Sequence, residues 1–292
     1  MRITNIIFRL LKYLVKAEFK ILCFIDKIAN QERRLKLYYF IGNQIEKNVV
    51  VDNMKYDCTY ITSLKRVRAY RDGHEADTQQ WIDKYILNDE ILFDIGACVG
   101  AISIYAALKN NARVYSFEPN CQNYALLYNN IFINNLDKKI KAFNLALNDQ
   151  TITSDLIIVK ERYLPGKSHH HFSEVNKDIV NSNKTVLNQN CLGYQLDELI
   201  KQFSLPIPNH IKIDVDGNEY KIIKGSNDTL SNKILKTIAC EFNPNIEDHS
   251  KTVNIIKNHG FKEINHIDDK NTQDNIFDSN QSRKTINKFF IR

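Results

Sequence analysis

A short run with spaced glycines, Asp94-Ile-Gly96-Ala97-Cys98-Val-Gly100, is the first part of the sequence that could do chemistry. Its glycines allow the backbone to turn sharply and to approach a ligand closely. The spacing is not the G-x-G-x-x-G that wraps a dinucleotide pyrophosphate, and an acid precedes the first glycine. The run therefore predicts that these five named residues contact a ligand carrying an amino acid group.

Two further polar positions follow the next predicted strands. Glu118, followed by Pro119, comes 24 residues after Asp94, and an acid at the end of a second strand binds ribose hydroxyls in nucleoside-binding folds. The alternative is a solvated acid at a strand end. Asn148 and Asp149 follow the third strand, where they either hydrogen-bond an adenine amino group or form a simple turn.

A second acidic run, Lys212 to Glu219, reads KIDVDGNE. Strand alternation predicts Lys212, Asp214 and Asp216 on one face, and acids grouped at a strand end are costly unless they bind something. Asp216 is our first candidate for a general base, and Asp214 is expected on the cofactor side.

Three further candidates for the base lie elsewhere. Glu219 closes the acidic run, and Glu241 ends the following strand. Acids on two neighbouring strand ends supply either a base with a hydroxyl clamp or oxygen ligands for a divalent cation, although no metal is predicted. His170 lies in an internal His169-His170-His171 run, which is either a source of a base near neutral pH or a solvated loop.

Strands that alternate with helices are expected to position these residues, in a doubly wound, mostly parallel α/β sheet with an antiparallel last strand. The predicted strands are 91–95, 113–117, 140–147, 211–215, 237–242, 261–267 and 285–291. The predicted helices are 75–87, 101–108, 121–134, 219–230 and 251–258.

We predict two domains: residues 1–72 as an N-terminal extension and residues 73–292 as the catalytic domain. The extension combines a helix over residues 5–29 with a small β-hairpin region over residues 47–72. The helix has a narrow apolar stripe and a basic face, so it either docks on its own domain or a second subunit or lies on a membrane surface. Residues 151–195 interrupt the alternation and are expected to form a lid or substrate insertion.

The composition indicates a cytoplasmic protein, with the inner membrane surface as a further option. Six cysteines occur without a CxxC spacing, which is typical of reduced thiols. No apolar run approaches the roughly 18 residues of a membrane span, and no secretory signal is recognisable. The net charge of +6 permits contact with anionic surfaces but does not identify one.

Taken together, the motifs resemble the FkbM family of S-adenosylmethionine (SAM)-dependent methyltransferases. The matching segments are ILFDIGACVG, VYSFEPNCQNYALLYNNIFINN, ALND, YQLDELI and IKIDVDGNEYKIIKG. The resemblance implies a class I methyltransferase fold, O-methylation of a hydroxyl, and contacts to SAM from Asp94, Gly96, Glu118 and Asp149. The sequence departs from the family at Cys98, where Asn is common, and at Asp216, where Glu is common.

The acceptor expected from this resemblance is a sugar hydroxyl in a bacterial surface-glycan or secondary-metabolite pathway, on a nucleotide- or lipid-linked precursor. A non-sugar acceptor and a degenerate SAM-binding module remain alternatives. A nucleic-acid partner is not expected, because the Asn/Asp-Pro-Pro-aromatic motif of amino-group methylases is absent after the fourth strand. A homodimer or a peripheral membrane contact through the N-terminal helix is the other partner expectation.

Overall fold

The computed structural model describes residues 48–59, 61–73, 75–160, 164–167, 170–173, 185–242, 248–264 and 285–292. Residues 48–292 form one compact unit. The helix predicted over residues 5–29 and the side chain of His169 lie outside the described residues.

The strands of the unit fall into a hairpin, a central sheet and a smaller second sheet. The hairpin is β1 (Asn48–Val51) with β2 (Met54–Asp57). The central strands are β3 (Ile91–Ile95), β4 (Arg113–Phe117), β5 (Ile140–Phe143), β10 (His210–Ile213), β11 (Thr237–Phe242), β12 (Lys262–Ile264) and β13 (Ile286–Ile291). The second sheet contains β6 (Ala146–Leu147), β7 (Ile152–Val159), β8 (His171–Phe172) and β9 (Val186–Tyr194).

Helices cover both faces of the central sheet. In chain order they are α1 (Ile61–Arg71), α2 (Ala76–Tyr85), α3 (Ala101–Lys109), α4 (Cys121–Ile133), α5 (Leu196–Phe203), α6 (Glu219–Lys224), α7 (Asn227–Ser231) and α8 (His249–Asn258).

The central sheet has the order β12-β13-β11-β10-β3-β4-β5. Strands β5, β4, β3, β10 and β11 run parallel, whereas β13 is antiparallel to both of its neighbours. This confirms the predicted α/β class and the antiparallel last strand. Strand β3 is buried at every position, as expected for a parallel strand covered on both faces.

Two hydrophobic clusters, one on each face, hold the helices to this sheet. One includes Trp81, Ile104 and Leu127, and the other includes Leu199 and Ile256. The carboxyl ends of the parallel strands therefore lie at one edge of a rigid scaffold, where ligands bind in such sheets.

The region predicted as a hairpin over residues 47–72 is a hairpin only as far as Asp57, and α1 follows it. Asn130 of α4 accepts a hydrogen bond from the backbone N–H of Asp57 at 2.7 Å. Asn134 pairs with both backbone polar groups of Lys55. The hairpin thus packs on the catalytic core, whereas the arrangement of the first 47 residues remains a prediction.

The insertion predicted as a lid or substrate element over residues 151–195 contributes β7, β8 and β9 from its described residues, and these join β6 in the order β6-β9-β7-β8. Strand 140–147 was wrongly predicted as one element. It divides after Phe143, because Ala146 and Leu147 leave the central sheet to pair with Gly193 and Tyr194. The insertion is therefore built onto the end of the third central strand.

The helix predicted over residues 219–230 is also divided, into α6 and α7. Gly225 passes so close to the loop after β6 that an added Cβ would lie 2.4 Å from the carbonyl oxygen of Asn148. Asp197 of α5, a helix that the sequence did not predict, accepts hydrogen bonds from the N–H groups of Asp228 and Thr229 at 2.7 and 2.9 Å. These contacts start a new helix, because they satisfy donors that would otherwise bond within a continuous one.

None of the helices in the described ranges combines the length and the apolar character that a membrane crossing requires.

Candidate active site

The glycine run forms a tight turn between β3 and α3. Gly96 has a φ of +84°, and a Cβ added there would lie 1.9 Å from the carbonyl oxygen of Asp214. The N–H groups of Gly96 and Ala97 donate to the carbonyl oxygen of Phe117 at 2.9 and 3.1 Å. Only glycine fits this close approach, so the turn brings the ends of β3, β4 and β10 together.

The second half of the turn also needs the left-handed region of backbone space. Gly100 has a φ of +87° and Cys98 a φ of +50°. A Cβ on Gly100 would lie 2.5 Å from Cδ1 of Leu127, so a side chain there would force the Leu127 side chain of α4 to move. The two glycines singled out in the sequence are thus both required by the geometry of the turn.

Asp94 lies fully buried at the base of this turn. Its Oδ2 accepts a hydrogen bond from Ser103 at 2.5 Å, and Lys212, which lies opposite it in the β3–β10 register, places Nζ 3.8 Å from Oδ1. Burial raises the pKa of Asp94. Among the described residues Oδ1 has no hydrogen-bond partner, which leaves acceptor capacity at the strand end.

Glu118 is buried just beyond the end of β4. Its Oε2 accepts the N–H of Cys98 and its Oε1 the N–H of Asn120, each at 2.8 Å. Burial raises its pKa to about 7, although these N–H groups and the side chain of Asn123 act in the opposite direction. A pair of ligand hydroxyls would compensate that burial, so the structure suits the predicted ribose role.

Pro119 contacts the rest of the site through its backbone, because its carbonyl oxygen accepts hydrogen bonds from Gln189 and Asn144 at 2.7 and 3.0 Å.

Asn148 and Asp149 both have partners within the protein. The N–H of Asn148 donates to Tyr194 at 2.8 Å, and Asp149 forms an ion pair with Lys224 at 2.8 Å. Their contact with adenine stays a prediction.

The acidic run is less regular than the sequence predicts. Strand β10 ends at Ile213, two residues earlier than expected, and Asp216 has a φ of +59°. Alternation along a strand therefore does not place Asp216. Lys212 nevertheless reaches Asp214, with Nζ 3.1 Å from Oδ2. Burial lowers the pKa of Lys212, but the negative charges of Asp214, Asp94 and other acids outweigh this effect and raise it.

Glu219 holds the turn that carries Asp216. Its Oε1 accepts the N–H of Gly217 at 3.0 Å and that of Val215 at 3.4 Å. Burial raises its pKa to about 7. These contacts suit a positioning role, because they fix the backbone on either side of Asp216.

Glu241, the other acid named as a candidate, comes from β11 beside this turn. Its Oε1 accepts a hydrogen bond from Thr285 at 2.9 Å. Its pKa is raised well above the ordinary value by burial and then by the charges of Asp214, Asp216 and Glu75. The tertiary structure thus gathers acids from the segment after β10, from β11 and from the segment before α2.

Sequence reasoning missed two members of this group, Arg66 of α1 and Glu75. Burial lowers the pKa of Arg66, but the charges of Cys98, Asp214, Glu75 and Asp216 outweigh it, so the net shift is upward. Burial raises the pKa of Glu75 to about 7, while Lys212 and Arg66 lower it. Neither residue belongs to a motif, and only the packing of α1 and α2 brings them to the strand ends.

His170 was also a candidate base. It comes directly before β8 of the smaller second sheet, and its role as a base stays a prediction. Its neighbour His171 pairs with Ile157 in the second sheet. In the same described ranges, no group of three or more His, Cys, Asp or Glu side chains has the arrangement of a metal site.

Comparison with known proteins gives matches over this region. The profile of the family described as "Methyltransferase FkbM domain" matches residues 94–263. Hexuronic acid methyltransferase AglP of Haloferax volcanii is 24% identical over 170 residues, which are 58% of this chain and 63% of that protein. tRNA (guanine(37)-N(1))-methyltransferase 1 of Vitis vinifera is 29% identical over 121 residues, 41% of this chain and 19% of that protein.

The chain thus spans less than two thirds of the length of these two relatives. Among solved structures, a putative rRNA methylase of Clostridium thermocellum aligns with a TM-score of 0.43 and 9% identity, covering 74% of this chain and 93% of that one.

Proposed function

Since the chain belongs to the FkbM family of SAM-dependent methyltransferases, we propose that it transfers a methyl group to a hydroxyl group of a sugar. Methyl transfer and the SAM cofactor follow from the family, whose profile covers residues 94–263 of 292. SAM supplies a methyl carbon that its sulfonium makes electrophilic. The protein's own residues must therefore bind, align and deprotonate the acceptor.

The residues of the site fit this cofactor. The turn at Gly96 packs directly against the backbone of Asp214, since a Cβ there would lie 1.9 Å from the Asp214 carbonyl oxygen, and this brings the ends of β3 and β10 together. Asp94 keeps one buried carboxylate oxygen without a hydrogen-bond partner among the described residues. Glu118 offers a buried carboxylate at the second strand end, where ribose hydroxyls bind in related folds.

The observation that carries the proposal is the position of Asp216. Its charge raises the pKa of Glu118 on the ribose side and that of Glu241 on the next strand. Asp216 is thus close enough to act on both the predicted ribose acid and Glu241 of β11. A carboxylate there is suitably placed to take the proton of a hydroxyl that approaches the methyl group, a contribution worth roughly 10²–10⁴-fold in rate.

The remaining acids suit an acceptor with several hydroxyls. Carboxylates accept hydrogen bonds from such groups, and Lys212 fixes the orientation of Asp214 at 3.1 Å. Alignment of acceptor oxygen and methyl carbon by groups of this kind is worth about 7–11 kcal/mol of the barrier.

AglP, named a hexuronic acid methyltransferase, supports a sugar acceptor. A nucleotide- or lipid-linked surface-glycan precursor is the form we expect, and a homodimer or membrane contact through the N-terminal helix remains a prediction.

An Asp216→Asn variant tests the proposed base. We expect turnover of a sugar acceptor to fall by about 10²–10⁴-fold, while the affinity for S-adenosylhomocysteine (SAH) changes little. The acceptors to screen with labelled SAM are neutral and hexuronic nucleotide sugars. Asp89→Asn is the matched control, because Asp89 lies before β3 at the opposite edge of the sheet with an exposed side chain.

Unchanged turnover in the Asp216 variant would remove Asp216 from the mechanism. Methylation of a non-sugar hydroxyl, with every sugar inert, would overturn the acceptor class and leave the methyltransferase assignment intact. Tight SAH binding with no turnover on any acceptor would favour the degenerate binding module instead.

A further inference from the structure

The insertion between β6 and α5 touches the nucleoside side of the site at the turn Leu164–Lys167. Asn123, buried in the first turn of α4, makes this contact. Its Oδ1 accepts the N–H of Gly166 at 2.7 Å, and its Nδ2 donates to the carbonyl oxygen of Lys167 at 3.0 Å. The same side chain is close enough to the carboxylate of Glu118 to lower its pKa.

The orientation of the Asn123 amide is forced by these partners. Its oxygen faces a backbone N–H, so its NH₂ group must face the two acceptors, the Lys167 carbonyl and the Glu118 carboxylate. One amide thus links the insertion to the surroundings of the predicted ribose acid.

A second amide side chain makes a parallel connection. Gln189 of β9 donates from Nε2 to the carbonyl oxygen of Pro119 at 2.7 Å, and its Oε1 accepts the N–H of Cys121 at 3.0 Å. Two separate parts of the insertion therefore attach to the short segment that begins with Glu118. A flexible substrate loop would not require such anchoring.

We infer that the insertion is part of the cofactor site, with Asn123 as the positioning residue that holds the Glu118 carboxylate for the ribose hydroxyls. The inference rests on the ribose role of Glu118 and is independent of the sugar acceptor. It changes the role expected for residues 151–195, since at least their described turn serves the nucleoside side.

The physical reason lies in the charge of Glu118. Burial raises its pKa to about 7, and the side chain of Asn123 is one of three groups that favour the ionised form. The other titratable groups that face Glu118 among the described residues are Asp216, Cys98 and Cys191. Loss of the Asn123 donor would leave more of the carboxyl protonated near neutral pH, and a protonated carboxyl accepts from a ribose diol less well.

The test is calorimetric titration of the full chain with SAH and with its 2′,3′-dideoxy analogue, between pH 6 and 8.5. Asn123→Asp keeps the size of the side chain but replaces its donor by an acceptor. We expect this variant to bind SAH about ten- to a hundredfold more weakly at pH 7, with its pH midpoint moved upward. Its preference for SAH over the dideoxy analogue should disappear.

Asn129→Asp is the matched control, because Asn129 lies on the same helix and contacts Asp57 of the hairpin. Gln189→Ala is a milder second variant, and we expect it to reduce the ribose preference in the same direction. Equal weakening for both ligands, or an unchanged pH midpoint in the Asn123 variant, would overturn the inference. So would the absence of any ribose preference in the unmodified protein.

Discussion

A Gly96→Ala substitution, which adds a single methyl group, tests whether the turn between β3 and α3 requires glycine for two separate reasons. The backbone there has a φ of +84°, which disfavours any L side chain. An added Cβ would also lie 1.9 Å from the carbonyl oxygen and 2.8 Å from the carbonyl carbon of Asp214. Because both atoms belong to the backbone, the clash cannot be relieved by rotation of a side chain.

Gly260 separates the two effects. Its φ is +88°, and an added Cβ there has nothing within 4 Å. Gly260→Ala should therefore cost only the left-handed conformation, about 1–2 kcal/mol. Gly96→Ala should cost that amount plus about 1–3 kcal/mol of overpacking, for a total of about 2–5 kcal/mol.

Thermal unfolding measures the difference. For a domain of this size each kcal/mol corresponds to about 2–4 °C, so Gly260→Ala should lower Tm by about 2–8 °C and Gly96→Ala by about 4–20 °C. SAH affinity should fall only in the Gly96 variant, because the displaced Asp214 carbonyl belongs to the ligand edge. Equal melting temperatures and equal SAH affinities for the two variants would refute the close-packing argument.

Two further predictions concern stability. Cys98 has a φ of +50°, a region that Asn tolerates better than most residues, so Cys98→Asn should raise Tm by about 1–3 °C in thermal unfolding; a lower Tm would contradict this reasoning. Burial raises the pKa of Glu90, but hydrogen bonds from Lys236 and His210 outweigh it and lower the pKa to about 2. Because this folded-state pKa lies below the unfolded value, the stabilisation is present above about pH 4.5 and is lost as the pH falls towards 2. Glu90→Gln should therefore lower the free energy of unfolding, measured by urea titration, at pH 7 and much less at pH 2.5. An equal decrease at both pH values would exclude an ionic origin of the stabilisation.

The sequence predicted the central sheet well. The bounds of β3, β4 and β11 agree with the predicted strands, because strands buried on both faces appear as short apolar runs. The antiparallel last strand was predicted because no helix pattern separates it from the strand before. The glycine turn and Glu118 were predicted from their spacing. Closely spaced glycines indicate a backbone that turns sharply or approaches a ligand.

The sequence by itself therefore determined the fold class, the family and the acids near the carboxyl ends of β3, β4, β10 and β11. Only the tertiary structure decided which groups share their environment: Arg66 and Glu75 reach the acid cluster through helix packing, and Glu219 holds a turn. Asn123 joins the insertion to Glu118 across more than 40 residues of chain. Contacts of this kind depend on which distant backbone segments the fold brings together, and local sequence periodicity does not predict them.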